Sequence, residues 1–234
     1  MLIYINLLAT HLIKISPRAM INKTYLFEKL LSYCDNVQGV DEQVLDAHLQ
    51  KHGLTIRADH RLFLLKYGNS TELLKFWFGD CTYALLEEYT SNPQEYLNDD
   101  LPDDTVFFGQ EFTDGILCID NQSGKIYDYE SKELWGCLYE NIDSLLFFCL
   151  IEHLRSHKAL PTTRVVTIEK DEINQFFQQH EAYHLTGLDN FFTKYYIKNN
   201  QLIYCRKAQD VYELYFLQGE ILNSIAHEGL LFKN

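Results

Sequence analysis

The predicted architecture rests on a segment in the middle of the chain, Gly115-Ile-Leu-Cys-Ile-Asp120-Asn121-Gln-Ser-Gly124-Lys-Ile-Tyr-Asp-Tyr129. Two runs rich in β-branched and aromatic residues flank a four-residue connection that ends in Gly124. Such a connection is typical of antiparallel neighbours, because its glycine tolerates a turn conformation. The stretch therefore predicts a β-hairpin.

Similar short runs surround this hairpin, and helical spacing of apolar residues precedes them. Further strands are predicted at 73–78, 105–108 and 134–139, and helices at 22–33, 41–52, 59–67 and from Asp143 or Ser144 to Leu154. Helices followed by a run of adjacent strands predict an α+β fold, with N-terminal helices and a central antiparallel β-sheet.

The pattern starts again after Leu160-Pro161. Here we expect a strand at 164–168, a helix at 171–183, a hairpin around Asn199-Asn200 and a strand at 211–217. The predicted segments are an uninformative leader at 1–21, a domain at 22–158 and a C-terminal α/β extension or subdomain at 159–234. Met1 and Met20 are both candidate start codons.

The composition favours a soluble protein with a basic partner. The chain of 234 residues has a formal charge of −13, which repels phosphate and disfavours direct nucleic-acid binding. Six cysteines occur without a Cys-x-x-Cys pair, a pattern typical of buried thiols in a reducing compartment. We expect a cytoplasmic protein with no cofactor and no membrane contact, and the sequence does not fix the oligomeric state.

One stretch, from Phe76 to Gly124, contains no Lys, Arg or His. Its 11 acids are Asp80, Glu87, Glu88, Glu95, Asp99, Asp100, Asp103, Asp104, Glu111, Asp114 and Asp120. Such a run predicts either a surface that attracts a basic protein or a solvated loop that aids solubility. For the docking hypothesis, the partner-binding candidates are Asp99, Asp100, Asp103, Asp104, Glu87, Glu88, Glu95, Trp77 and Tyr96.

The middle of the chain resembles the SUKH superfamily, whose bacterial members are largely immunity proteins of polymorphic-toxin systems. The resemblance rests on Arg61-Leu-Phe-Leu-Leu-Lys-Tyr-Gly-Asn69, on Val106-Phe-Phe-Gly109, on the hairpin above and on Leu145-Leu-Phe-Phe148. It implies a SUKH-type sheet and a non-enzymatic scaffold that neutralises a cognate toxin, commonly a nuclease or another nucleic-acid-directed enzyme; the acidic composition adds the expectation that this toxin is basic. It also leaves open a regulatory protein-interaction scaffold.

A different motif favours an enzyme. His180-Glu181-Ala-Tyr-His184 matches His-Glu-x-x-His, which on one helical face binds Zn²⁺ through both imidazoles while the glutamate acts as the base. The position of a third ligand holds Asn190, a poor zinc ligand, and no Met follows for a Met-turn. The alternative prediction is therefore a zinc-dependent hydrolase that uses His180, Glu181 and His184, whereas the main prediction has neither a metal nor a catalytic residue.

Overall fold

A computed structural model describes residues 22–76, 79–96, 101–111, 115–130 and 133–227. The helices are α1 (Lys23–Leu31), α2 (Glu42–His52), α3 (Ala58–Tyr67), α4 (Thr71–Leu74), α5 (Tyr83–Ser91), α6 (Pro93–Tyr96), α7 (Ile142–Ser156), α8 (Ile173–His180) and α9 (Glu220–His227). The strands are β1 (Lys75–Phe76), β2 (Gly79–Asp80), β3 (Thr105–Glu111), β4 (Ile116–Asp120), β5 (Ile126–Glu130), β6 (Glu133–Tyr139), β7 (Thr162–Glu169), β8 (Thr193–Lys198), β9 (Gln201–Ala208) and β10 (Val211–Leu217). The predicted α+β class is confirmed.

The first sheet is an antiparallel meander in the order β1-β2-β3-β4-β5-β6. Its central hairpin forms as predicted, with Ile116 opposite Tyr129. Gly124 adopts a φ of 77° in the turn. Arg57, the residue before α3, donates to the carbonyl oxygens of Asn121 at 2.8 Å and Gln122 at 3.0 Å. The hairpin turn is therefore tied to the helical layer.

Helix ends follow local capping chemistry. Asp41 accepts a hydrogen bond from the backbone of Gln43 at 2.9 Å, and Gly53 ends α2 with a φ of 62°. At α7, the cap is Asn141 rather than the predicted Asp143 or Ser144, because the Asn141 side chain accepts from the Ser144 amide at 2.9 Å. The Ser144 hydroxyl completes a reciprocal capping box, which fixes where this buried helix begins.

The second sheet has the order β7-β10-β9-β8 and is also antiparallel. The predicted hairpin at Asn199-Asn200 is confirmed, with both residues at positive φ. One face of this sheet packs on α7, where the rings of Phe147 and Tyr195 meet edge to face at 4.9 Å. On its other face, Phe176 of α8 meets Tyr196 edge to face at 5.4 Å.

A single large core joins the two sheets. It includes Phe27 of α1, Leu145 of α7, Tyr195 of β8 and Ile221 of α9. Residues on either side of position 158 therefore contribute to the same apolar interior.

Two expectations differ from the structure. The predicted strand at 73–78 begins as helix α4, because the Ser70 carbonyl accepts from the amides of Leu73 and Leu74 at 3.0 and 2.9 Å. Helices α5, α6 and α9 were absent from the prediction. The proposed leader, 1–21, lies outside the described residues. In the described part of the chain, no helix has the length and apolar character that crossing a membrane requires.

Candidate functional site

Five exposed carboxylates of the cation-free stretch lie on α5, on α6 and in the turn before β3. We call this set the acidic surface: Glu87, Glu88, Glu95, Asp103 and Asp104. Within the described ranges, none of the five forms an ion pair. Their negative charge is therefore turned to solvent rather than neutralised by the fold.

Stacked aromatic rings attach the acidic surface to the first sheet. Tyr89 of α5 stacks on Phe107 of β3, with ring centroids 3.9 Å apart and an interplanar angle of 8°. Tyr96 of α6 meets the same Phe107 edge to face at 6.4 Å. Both short helices are thus held to β3, so that their carboxylates are presented from an ordered platform.

Hydrogen bonds to the side chains of Asp80 and Thr82 fix the start of α5. The Asp80 carboxylate accepts from the Thr82 amide at 2.8 Å, and the Thr82 hydroxyl oxygen accepts from the Leu85 amide at 3.4 Å. No basic side chain lies in the last turn of α5, where Glu88 is found. A carboxylate at a helix C-terminus opposes the helix dipole, so this placement is unfavourable for the isolated helix.

Of the two aromatic partner-binding candidates, Trp77 and Tyr96, the structure describes only Tyr96. Tyr96 is half-buried, and burial followed by a hydrogen bond to Glu88 raises its pKa to about 12. Its hydroxyl therefore keeps its proton at neutral pH. Tyr83 is 4% exposed and belongs to the core. Trp77, Asp99 and Asp100 lie outside the described residues.

The remaining acids of the stretch have other surroundings. Asp80 pairs with Lys75 at 3.3 Å. Hydrogen bonds from Ser123 lower the pKa of Asp120, with a smaller contribution from the Arg57 charge. Glu111 lines a cavity, and Asp114 lies outside the described residues. Among the described residues, the acids of the stretch therefore divide into those with local partners or a place in the cavity wall and the five of the acidic surface, on which the docking hypothesis now depends.

The His-Glu-x-x-His motif does not form the expected helical pair. Helix α8 ends at His180, whose Nδ1 lies 2.9 Å from the Phe176 carbonyl oxygen. A 3-10 turn follows, and His184 is extended, with its Nε2 2.8 Å from Oδ2 of Asp189. The expectation that both imidazoles share one α-helical face is wrong, because the α-helix stops at the first of them.

A metal would need further ligands. Among the residues that the structure describes, no group of three or more His, Cys, Asp and Glu side chains is placed to hold an ion.

A cavity of about 700 Å³ lies between α7, the edge of the first sheet and the second sheet. Sequence reasoning missed it, because its charged residues, among them Arg155 of α7 and Arg206 of β9, are distant along the chain. No local motif marks them, and only the packing of the second sheet on α7 brings them to one cavity.

Comparisons with protein-family models, with curated proteins and with solved structures find no match to this chain.

Proposed function

We propose that this protein is an immunity protein that binds and neutralises a basic, nuclease-type bacterial toxin through the acidic surface. The observation that carries the proposal is the set of five exposed carboxylates without an ion-pair partner in the described part of the chain. Unneutralised like charges repel one another, so keeping them favours a role in attraction. The toxin class comes from the resemblance of the middle of the chain to the SUKH superfamily.

The attachment of α5 and α6 to β3 favours rapid and specific association with the toxin. Complementary charge mainly accelerates association, whereas buried aromatic contacts supply most of the affinity. Tyr96, beside Glu88 and Glu95, is the described aromatic residue best placed to add such a contact. In this mechanism the protein blocks the nucleic-acid groove of the toxin and performs no chemistry.

The test measures protection against, and association with, a basic nuclease-type toxin, and any such protein encoded beside this gene is the first candidate. Co-expression should restore growth of a bacterial host that the toxin alone arrests. The variant E87K/E88K/E95K/D103K should slow association at low salt by about tenfold or more, because it replaces an attractive field by a repulsive one.

A matched variant separates local from global charge. E169K/D171K/E172K/D210K changes the net charge equally at four exposed positions elsewhere, and it should retain most of the association rate. If both variants slow association equally, the effect arises from the net charge of the protein and not from the acidic surface. An unchanged association rate in the first variant would exclude the acidic surface as the toxin-binding site. Failure to protect against the toxin would rule out immunity.

A further inference from the structure

The cavity has the size of a small-molecule site. Its volume of about 700 Å³ lies within the range of ligand pockets, roughly 300–1,000 Å³. The apolar part of its lining is mostly aromatic and comes from both sheets and from α7: Tyr139, Phe148, Phe192, Tyr195, Tyr204 and Tyr215. Tyr204 and Tyr215 stack with centroids 4.4 Å apart and an interplanar angle of 8°, which gives part of the wall a flat surface.

The lining contains cationic side chains although the protein is strongly acidic. Arg155, Arg206 and Lys207 line the cavity together with two carboxylates, those of Glu111 and Glu152. Glu152 is held by Arg155, whose Nη2 contacts the carboxylate oxygen. Arg206 and Lys207 are exposed on β9 and form no ion pair within the described residues. Because side chains alternate along β9, Arg206 shares the face of Tyr204, whereas Lys207 shares that of Cys205. Arg206 is therefore the cation that faces the cavity without an ion-pair partner in the described residues.

Arg155 also carries an unsatisfied group. Its Nε is buried and has no hydrogen-bond partner, and leaving such a donor unpaired costs about 1–3 kcal/mol. A guanidinium presents its donors in a fork that matches a carboxylate. The Nε itself is inaccessible, so an anionic ligand would meet the terminal end of the Arg155 guanidinium, whose side chain is 33% exposed.

We infer that this cavity binds a small monoanionic carboxylate with an aromatic body. The flat tyrosine wall and the rings of Phe148 and Phe192 provide the surface for the body, and Arg155 with Arg206 provides the site for the head group. Glu111 and Glu152 disfavour a dianion, so a phosphate monoester should bind more weakly than a carboxylate. This site goes beyond the proposed toxin-binding function, and its lining excludes all five residues of the acidic surface.

The experiment titrates the full chain with three probes of one shape: 1-naphthoate, neutral 1-naphthamide and 1-naphthyl phosphate. Calorimetry should show saturable 1:1 binding of the naphthoate, about tenfold or more tighter than the amide and tighter than the phosphate. Side-chain methyl signals of Thr193 and Ala208, which line the cavity, should shift on binding. Arg155→Gln and Arg206→Gln should each weaken naphthoate binding about tenfold and leave amide binding unchanged.

Lys194→Gln is the control, because Lys194 is an exposed cation of the same sheet that lies over the ring of Phe177, away from the cavity. Arg206 is exposed, so its variant tests the inference even if the loss of Arg155 harms folding. The inference is overturned if the naphthoate shows no saturable binding up to about 10 mM, if the amide binds equally well, if the phosphate binds more tightly, or if the Arg206 variant binds like the Lys194 control.

Discussion

At the scale of single residues, His60 is the buried group with the clearest effect on stability. It lies on α3, 1% exposed, with its ring 4.7 Å from the ring of Phe108. Its Nδ1 has no hydrogen-bond partner. Burial in these apolar surroundings lowers its pKa from 6.5 to about 4, because the charged imidazolium loses its hydration there.

The lowered pKa of His60 predicts acid destabilisation. The unfolded chain takes up a proton near pH 6.5, whereas the folded protein does so only near pH 4. The contribution of His60 is therefore complete above pH 6.5 and is lost as the pH falls towards 4, with a total on the order of 3 kcal/mol. Urea unfolding of the wild type at pH 7, 6 and 5 should show this loss.

His60→Leu should weaken the pH dependence of the free energy of unfolding, whereas His157→Gln, at an exposed position, should leave it unchanged. Some slope should remain in the His60 variant, because burial also lowers the pKa values of His48 and His180. An unchanged slope in His60→Leu would contradict the assignment.

At the scale of elements, α7 organises the molecule because both sheets pack against it. Its capping box joins Asn141 and Ser144 at the entry to the core, and Ser144 is fully buried. Local capping chemistry thus determines where the central helix starts.

We expect Asn141→Ala to lower the free energy of unfolding by about 1 kcal/mol, since it removes the acceptor for the Ser144 amide. Ser144→Ala should have an effect of similar size. The double variant should lose less than the sum, because the two side chains form one reciprocal motif. Chemical denaturation of the four proteins measures this coupling. Asp143→Ala, at an exposed position of the same turn, should be milder; a larger loss there would point to Asp143 as the cap.

The sequence was most informative where an element is determined by its own residues. The predicted bounds of α2, 41–52, agree with its cap at Asp41 and its end at Gly53, and Asn199-Asn200 predicted a hairpin that the structure confirms. The sequence was least informative where contacts between residues distant along the chain determine the structure. Helix α5 was missed within the acidic stretch, because its attachment depends on Tyr89 stacking on the distant Phe107. The expected helical pairing of the two histidines in His-Glu-x-x-His was wrong, since α8 ends before the second histidine.

At the scale of the whole molecule, the distribution of charge is uneven. The formal charge is −13, and the five carboxylates of the acidic surface have no ion-pair partner within the described residues. Their distribution could be anticipated in part from the cation-free stretch. The cavity lined by Arg155 and Arg206 could not be anticipated, because it exists only where the second sheet meets α7.

This imbalance predicts that salt stabilises the protein. Raising NaCl to about 0.5 M shortens the screening length to a few ångströms and weakens the repulsion among the carboxylates. The Tm should rise by about 3 °C, which corresponds to roughly 1 kcal/mol for a chain of this size. Differential scanning calorimetry at low and high NaCl measures the shift.

E87Q/E88Q/E95Q should be more stable than the wild type at low salt and should gain less from added NaCl. A variant that gains as much as the wild type would show that the repulsion originates elsewhere.

The contact between α1 and α9 has a consequence for synthesis. The ribosome synthesises α1 before every other described element and α9 after all of them. During synthesis, the nascent chain therefore lacks α9, one of the helices against which α1 packs. The apolar side chains of Leu26, Phe27 and Leu30, which are buried in the finished protein, remain incompletely covered during that interval. Newly made molecules therefore pass through an aggregation-prone intermediate with exposed apolar surface, of the kind that chaperones bind.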